Sequence, residues 1–166
     1  MTGKTHAFVG VTSCLVLSAL YPDALVVAGK VVSPILGVIA TIPGSYAPDV
    51  DIAGSTASKK FPLLAKFLKH RGITHTLLIP AVIYCILSQF NFNLMVATQI
   101  FGFLLGYVMH IFADMLNKKG VPILWPLMTS HFHIMTIKTG TFEETLFMAV
   151  WGILCGVAYV FLKFGV

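Results

Sequence analysis

Long apolar segments separated by short polar loops restrict this chain to a fold embedded in a membrane. Only 10% of its 166 residues are charged and the mean hydropathy is +0.90, whereas a soluble domain carries about 25% charged residues. A helix of ~20 apolar residues crosses a bilayer. The apolar segments cover approximately residues 7–20, 24–47, 75–90, 94–115 and 142–163. The sequence therefore predicts one integral membrane domain over residues 1–166, an all-α polytopic helical bundle of about five spans.

Three parts of the chain depart from a regular spanning helix. Segment 24–47 contains Pro34 and Pro43, which predict a kinked or split helix. Segment 7–20 is short and resembles a signal peptide, but no clear cleavage site follows it, so we expect it to be retained. In the long polar stretch that follows the second segment, residues 61–68 predict a short amphipathic helix lying at the membrane interface.

Basic residues are divided unequally between the two sides that five spans would create. One side receives nine Lys and Arg residues, and the other receives only Lys30 and Lys163. The nine are Lys4, Lys59, Lys60, Lys66, Lys69, Arg71, Lys118, Lys119 and Lys138. Because cytoplasmic loops are enriched in Lys and Arg, we predict that this side is cytoplasmic. The net charge of +5 then fits topology and anionic lipid headgroups, and no nucleic-acid partner is expected.

The cysteines do not suggest redox or thiolate chemistry. Cys14, Cys85 and Cys155 lie inside apolar segments, and no CxxC spacing occurs. We interpret them as small buried hydrophobic residues. The sequence therefore predicts neither a disulfide nor a thiolate metal site.

Six residues of metal-ligand type lie at the ends of apolar segments, and all map to the predicted cytoplasmic side. Ionisable groups at such depth are costly and are therefore functional candidates. Three of the six are Asp residues, half of the acidic residues of the chain. Histidine and carboxylate side chains gathered in one place suggest a divalent metal. The six are His6, Asp49, Asp51, His75, His110 and Asp114.

The spacing of these residues supports a shared site, although each has a simpler explanation. His110 and Asp114 are four apart and project from one helix face, but such a pair also holds helices together by a hydrogen bond. Asp49 and Asp51 alternate in a loop and can hold a cation, or form a solvated turn. His6 lies near the start of the first segment. It is a ligand candidate only because it falls on the same predicted side of the membrane as the other five residues.

The stretch from His70 to His75 combines two histidines with an arginine at the entrance of a span. His75 would begin a helix, where neutral imidazole is favoured over the cation. Arg71 could bind a phosphate or a carboxylate through two hydrogen bonds. The simpler explanation is a basic membrane anchor. We favour function for His75 and Arg71, and give His70 less weight.

Other polar residues receive a structural interpretation. His131 and His133 alternate in a loop and are interpreted first as surface histidines, and second as ligands of a third metal. Thr141 with Glu144 three residues later matches a capping box, which explains Glu143 and Glu144 without a role in the site.

Four stretches of the chain, in this order, resemble the YdjM-type family, described as LexA-regulated, membrane-bound, metal-dependent hydrolases. The matching stretches are THAFVG at 5–10, PDVDIAGS at 48–55, HRGITHT at 70–76 and GYVMHIFADMLNKKGVPILWP at 106–126. The resemblance covers nearly the whole chain. It implies a multi-pass protein of the bacterial inner membrane that is expressed in the SOS response.

That family is in turn distantly similar to the zinc phospholipase C and single-strand nuclease superfamily, whose His and Asp residues hold a zinc cluster. The similarity implies that the six residues bind a divalent metal, zinc first and manganese second, and that the substrate is a phosphoester such as a membrane phospholipid. Asp49 or Asp51 would act as general base. Arg71 and Lys69 would stabilise charge on phosphate oxygens.

Two other function classes use the same residues. The first is a non-enzymatic metal-binding or ion-transport protein, which predicts polar residues along a path through the bilayer. The opposite side offers only Asp23, Lys30 and Lys163, which favours the enzyme. The second is a structural membrane protein in which the polar cluster only packs helices.

Overall fold

The computed structural model describes residues 1–22, 25–27, 30–52, 54–55, 57–59, 63, 66 and 71–165. Its described part contains five α-helices, which confirms the all-α prediction. The helices are α1 (Gly3–Leu20), α2 (Pro34–Tyr46), α3 (Leu78–Ser88), α4 (Leu94–Met115) and α5 (Phe142–Phe164). The short 3-10 helix Ala47–Asp51 follows α2, and a second 3-10 helix, Ile73–His75, precedes α3. The interfacial helix predicted at 61–68 lies largely outside the described residues.

Three of the helices, α1, α4 and α5, are long and apolar enough to cross a membrane. The other two are shorter, with 13 residues in α2 and 11 in α3, and at 1.5 Å per residue they extend only about 20 and 17 Å. Most side chains of α5 are exposed along its whole length, as expected for a helix that faces lipid. The protein is therefore built from membrane-type helices of unequal length.

The prediction of one apolar segment from 24 to 47 is wrong in its first part. Strands β1 (Leu25–Val27) and β2 (Lys30–Val32) form an antiparallel hairpin there. The β-branched valines of these strands favour extended backbone. Helix α2 begins only at Pro34, since proline lacks the amide hydrogen and suits the first position of a helix. The split that the prolines predicted therefore occurs at Pro34, whereas Pro43 is accommodated inside α2.

Glycines bring α2 and α4 into backbone contact. A Cβ atom on Gly102 would overlap the carbonyl of Gly37, and one on Gly106 would overlap the carbonyl of Thr41. A Cβ on Gly44 would likewise meet the backbone of Phe103. Gly102 and Gly106 have the GxxxG spacing that allows close helix packing in membranes. This contact fixes the depth of α2 relative to α4.

Two smaller predictions are also corrected. Thr141 precedes α5, but its side chain donates to the Lys138 carbonyl at 2.8 Å and does not cap the helix. Cys14 is buried as predicted, whereas Cys85 is exposed and Cys155 is partly exposed. The lipid-facing surface of α3 and α5 is apolar, so burial in a membrane does not require burial inside the protein. All three thiols are free in this structure.

Candidate metal centre

All six predicted metal-ligand residues lie in one cluster at one end of the bundle. They come from the start of α1, the two 3-10 helices and the end of α4, because the chain reverses direction between these elements. Five of the side chains are buried, and only Asp49, at 14% exposure, reaches the surface. The cluster consists of His6, Asp49, Asp51, His75, His110 and Asp114.

The centre of the cluster is formed by two imidazole nitrogens that face each other. His75 Nε2 and His110 Nε2 are 3.3 Å apart. Asp49 Oδ1 lies 3.6 Å from the first and 3.5 Å from the second. Asp114 Oδ2 lies 3.6 and 3.9 Å from the same two atoms. Four potential ligand atoms therefore surround one small volume.

The backbone fixes the tautomer of His110. Its Nδ1 lies 2.7 Å from the carbonyl oxygen of Ser45, and because a carbonyl only accepts, Nδ1 carries the hydrogen. Neutral His110 therefore presents the lone pair of Nε2 to the carboxylates of Asp49 and Asp114. Lone pairs that face carboxylate oxygens repel unless a cation lies between them. Donation of the second ring nitrogen to a carbonyl is also the usual orientation of metal-binding histidines.

His6 supplies a second nitrogen-rich part of the cluster. Its ring stacks on that of His110, with centroids 3.6 Å apart. His6 Nε2 lies 3.4 Å from Asp114 Oδ1, and no hydrogen-bond partner of the buried Nδ1 is found among the described residues. A buried polar atom without a partner is costly, and a metal ion would relieve that cost.

Asp114 joins the cluster to the surrounding cations. Its Oδ1 accepts from the amino group of Met1 at 2.6 Å, and its Oδ2 is 2.9 Å from the Arg71 guanidinium. Asp114 is 2% exposed, so these two cations offset the cost of burying its charge.

Asp51 serves mainly to orient its neighbours. Its Oδ2 accepts from the Thr74 hydroxyl at 2.6 Å and from the Arg71 amide at 3.0 Å, and it lies 3.3 Å from His75 Nδ1. A carboxylate that binds the outer nitrogen of a histidine directs the other nitrogen toward a metal. The hydroxyl of Tyr107 donates to the Thr74 carbonyl at 2.6 Å and holds this turn against α4.

Arg71 is buried and has a left-handed backbone conformation, with φ 56°. Such values are uncommon outside glycine and often occur at functional sites. The conformation lets the amide bind Asp51 while the guanidinium binds Asp114 and donates to the Gly120 carbonyl at 2.8 Å. Within the described part of the chain, the buried Nε of Arg71 has no hydrogen-bond partner, a cost that a bound acceptor would relieve.

The charges of the cluster shift the pKa of two of its loop residues. Burial alone would raise the pKa of Asp49, but a hydrogen bond from His75 and the nearby His110 and His6 rings bring it below its ordinary value. Burial alone would lower the pKa of His75, but hydrogen bonds to Asp49 and Asp51 outweigh burial and raise it to about 9, contrary to the neutral ring that the sequence predicts. His75 ends a 3-10 helix and does not begin a helix. Both shifts indicate a site that favours positive charge, which a proton or a metal ion can supply.

The donor set fits a divalent metal. Three overlapping groups of residues have ligand atoms within 4.8 Å of one another. Imidazole and carboxylate ligands suit zinc or manganese better than copper or iron–sulfur centres. The groups are His6 with Asp49 and His110, His75 with His110 and Asp114, and Asp49 with Asp51 and His75.

The remaining sequence candidates have different positions. His131 and His133 are exposed and belong to none of the three ligand groups; His131 Nδ1 lies 3.2 Å from the Lys119 carbonyl. Lys69 and His70 lie outside the described residues. Nothing in the sequence marks Ser45 or Thr74 as part of the site, because Ser45 meets His110 and Thr74 meets Asp51 only in the folded chain.

Glu144 has a role that the capping interpretation missed. It is 3% exposed, and its Oε1 accepts from the Thr2 amide at 2.6 Å and the Thr5 hydroxyl at 2.5 Å. Its Oε2 accepts from the Gly140 amide at 2.6 Å. Glu144 therefore anchors the start of α1, which carries His6, to α5. The one sequence signal was a pair of carboxylates, Glu143 and Glu144, at the start of a long apolar segment.

We expect Glu144→Gln to destabilise the protein by about 1–3 kcal/mol, because the amide NH₂ would face a backbone or hydroxyl donor. Thermal unfolding in detergent measures this effect. Glu143→Gln is the matched control, since Glu143 is exposed and, among the described residues, accepts only from the Lys138 amide at 3.2 Å. Equal unfolding temperatures for the two variants would contradict the anchoring role.

Comparison with known proteins identifies the family. The chain matches the YdjM inner membrane protein family over residues 1–164 and belongs to it. It is 28% identical to the uncharacterized protein YvsG of Bacillus subtilis (strain 168) over 153 residues, which are 90% of this chain and 88% of that protein. No solved structure matches the chain.

A second relative is the inner membrane protein YdjM of Escherichia coli (strain K12). The two are 35% identical over 88 residues, which are 48% of this chain and 43% of that protein. The similarity therefore spans less than half of the Escherichia coli protein.

Proposed function

We propose that this YdjM-family protein is a membrane-embedded, metal-dependent hydrolase that acts on a phosphoester, such as that of a phospholipid. The observation that carries the proposal is the convergence of three histidines and three aspartates beside a buried arginine. Bound zinc or manganese would lower the pKa of a water molecule toward ~7 and polarise a phosphoryl oxygen. The cluster lies at the ends of apolar helices, where phosphate headgroups are abundant.

The protein's own residues would divide the remaining tasks. Asp49 is the most accessible carboxylate of the cluster, so we assign to it the removal of a proton from the attacking water. Asp51 accepts two hydrogen bonds and lies against His75, so we assign it to orientation of that ring. Arg71 Nε would donate to a phosphate oxygen, and the charge of the guanidinium would stabilise the negative charge that develops there.

Hydrolysis gives a direct test. Purified protein supplied with zinc or manganese should hydrolyse a phospholipid or another phosphodiester, and EDTA should abolish turnover. Arg71→Lys should lower the turnover number roughly 10²–10³-fold, as removal of an oriented charge donor does, while the metal content stays unchanged. Lys138→Ala, at an exposed loop position, is the control. If no phosphoester in a broad panel is hydrolysed while metal is bound, the binding or transport function becomes the better proposal.

We also propose that the protein crosses the inner membrane several times and that the metal centre faces the cytoplasm. In a cysteine-free background, Lys59→Cys should resist a membrane-impermeant maleimide in intact cells, because Lys59 lies on the side with most basic residues. Gln89→Cys, in the turn between α3 and α4, should react readily. The reverse labelling pattern would place the metal centre outside the cytoplasm.

A further inference from the structure

The loop between α4 and α5 exposes a concentration of large apolar side chains. Six lie within residues 124–135, and each is at least 48% exposed, with Leu127 at 87%. Such a concentration marks contact with a membrane or another protein. Unlike the exposed faces of α3 and α5, it does not belong to a helix. We call these six residues the apolar loop surface: Leu124, Leu127, Met128, Phe132, Ile134 and Met135.

Backbone hydrogen bonds hold this loop against the end of α4. Val121 and Phe132 exchange two of them, at 3.0 and 2.8 Å, so the residues between them form a closed loop. The Ile134 amide donates to the carbonyl of Met115, the last residue of α4, at 2.8 Å. The apolar loop surface is therefore carried by a segment whose backbone is fixed to the bundle.

The same loop borders the metal centre. The Arg71 guanidinium donates to the Gly120 carbonyl at 2.8 Å while it binds Asp114. The Leu77 amide donates to the Ile123 carbonyl at 3.2 Å. These contacts fix the position of the loop relative to the His and Asp cluster, so the depth of one in a membrane sets the depth of the other.

Positive charge accompanies the apolar loop surface. Residues 116–136 contain Lys118 and Lys119, both exposed, and no Asp or Glu. Lys119 lies beside the apolar loop surface, because its carbonyl is 3.2 Å from Nδ1 of His131, the neighbour of Phe132. Apolar and basic side chains together are typical of segments that lie in the interface of an anionic membrane.

We propose that the apolar loop surface inserts into the lipid leaflet on the side of the metal centre, with Lys118 and Lys119 against anionic headgroups. Trp125, half-buried in the same stretch, is of the residue type enriched where proteins meet headgroups. A second copy of the chain fits this surface less well, because a two-fold contact brings the same residues together and the lysines would repel. The inserted loop would hold the His and Asp cluster at headgroup depth.

The depth of a nitroxide label tests the insertion. The label is attached to Leu127→Cys in a cysteine-free background, in nanodiscs of phosphatidylcholine and phosphatidylglycerol that hold one copy each. Oxygen concentrates in hydrocarbon and a nickel chelate stays in water, so the ratio of the two accessibilities rises with depth. This ratio should be several-fold higher than at Lys59→Cys, the matched control, an exposed position in the polar stretch after α2. Met128→Cys, also exposed, gives a second reading if labelled Leu127→Cys is unstable.

The role of charge is tested with the same label. Each lysine beside an anionic surface is expected to favour the inserted position roughly fivefold, so the ratio should fall when phosphatidylglycerol is omitted. Lys118→Gln combined with Lys119→Gln should remove this dependence on phosphatidylglycerol.

Two results would overturn the inference. Equal ratios at positions 127 and 59 would show that the loop lies in water and would indicate a surface for another protein. A high ratio at position 127 that does not respond to phosphatidylglycerol would overturn the assignment to anionic lipid. Both readings are independent of turnover, so they hold whether or not the protein hydrolyses a phosphoester.

Discussion

Replacing His110 by alanine is expected to remove bound metal from the protein. His110 contributes to two of the three candidate ligand groups and is completely buried, so its loss removes a nitrogen ligand from both groups. Loss of a residue that only orients a ligand typically costs roughly 10–100-fold in metal affinity, and loss of the ligand itself should cost more. Elemental analysis of detergent-purified protein, equilibrated with zinc, measures the effect.

The matched control for this prediction is His131→Ala. His131 is also a histidine near the same end of the bundle, but it is exposed and outside the ligand groups. The control should retain the zinc content of the unaltered protein. Both variants must also unfold as cooperatively as the parent. Otherwise the loss of metal could result from unfolding, and it would not identify a ligand. Equal zinc in a folded His110→Ala variant would disprove the metal centre at this position.

Replacing Gly106 by valine is expected to lower the stability of the bundle by about 1–3 kcal/mol or more, the usual cost of overpacking. A Cβ at this position would overlap the backbone of α2 at Thr41 and Ser45, so the helices would have to separate. The damage should extend to the metal centre, because His110 lies one turn further along α4 and donates to the Ser45 carbonyl. Thermal unfolding and zinc content should therefore both fall.

Gly156→Val is the matched control for the packing prediction. Gly156 also lies in a long apolar helix, α5, but no described residue beyond its immediate neighbours in that helix comes within 4 Å of a Cβ placed there. Valine at this position should change the unfolding temperature little. If the two glycine variants were equally stable, the close contact between α2 and α4 would not be required for the fold.

Much of the architecture follows from the sequence, because membrane burial leaves few options for the backbone. The fourth segment was predicted at 94–115 and α4 occupies the same residues, since a turn and an Asn cap at Asn93 precede a continuous apolar run. Counting of alternating segments also predicted that His6, His75 and His110 share one side. That prediction depends only on chain direction, and the cluster at one end of the bundle agrees with it.

The local structure of the second segment could not be predicted in the same way. Hydropathy alone does not distinguish the β-branched hairpin before Pro34 from a helix, because both are apolar. The GxxxG spacing at Gly102 and Gly106 was a readable signal for helix contact, but it does not identify the partner. Only the folded chain shows that α2 is that partner.

By itself, the sequence determined the membrane class, the helical content and the types of residue available for metal chemistry. These properties depend on the length of each apolar segment and on the cost of burying charge within it. Both can be judged from residues that are near one another in the sequence. The tertiary structure decided which atoms meet: the tautomer of His110, the hydrogen bonds that Asp51 accepts, the second partner of Arg71 and the anchoring role of Glu144. These contacts join residues far apart in the sequence, and their geometry depends on how closely the helices pack.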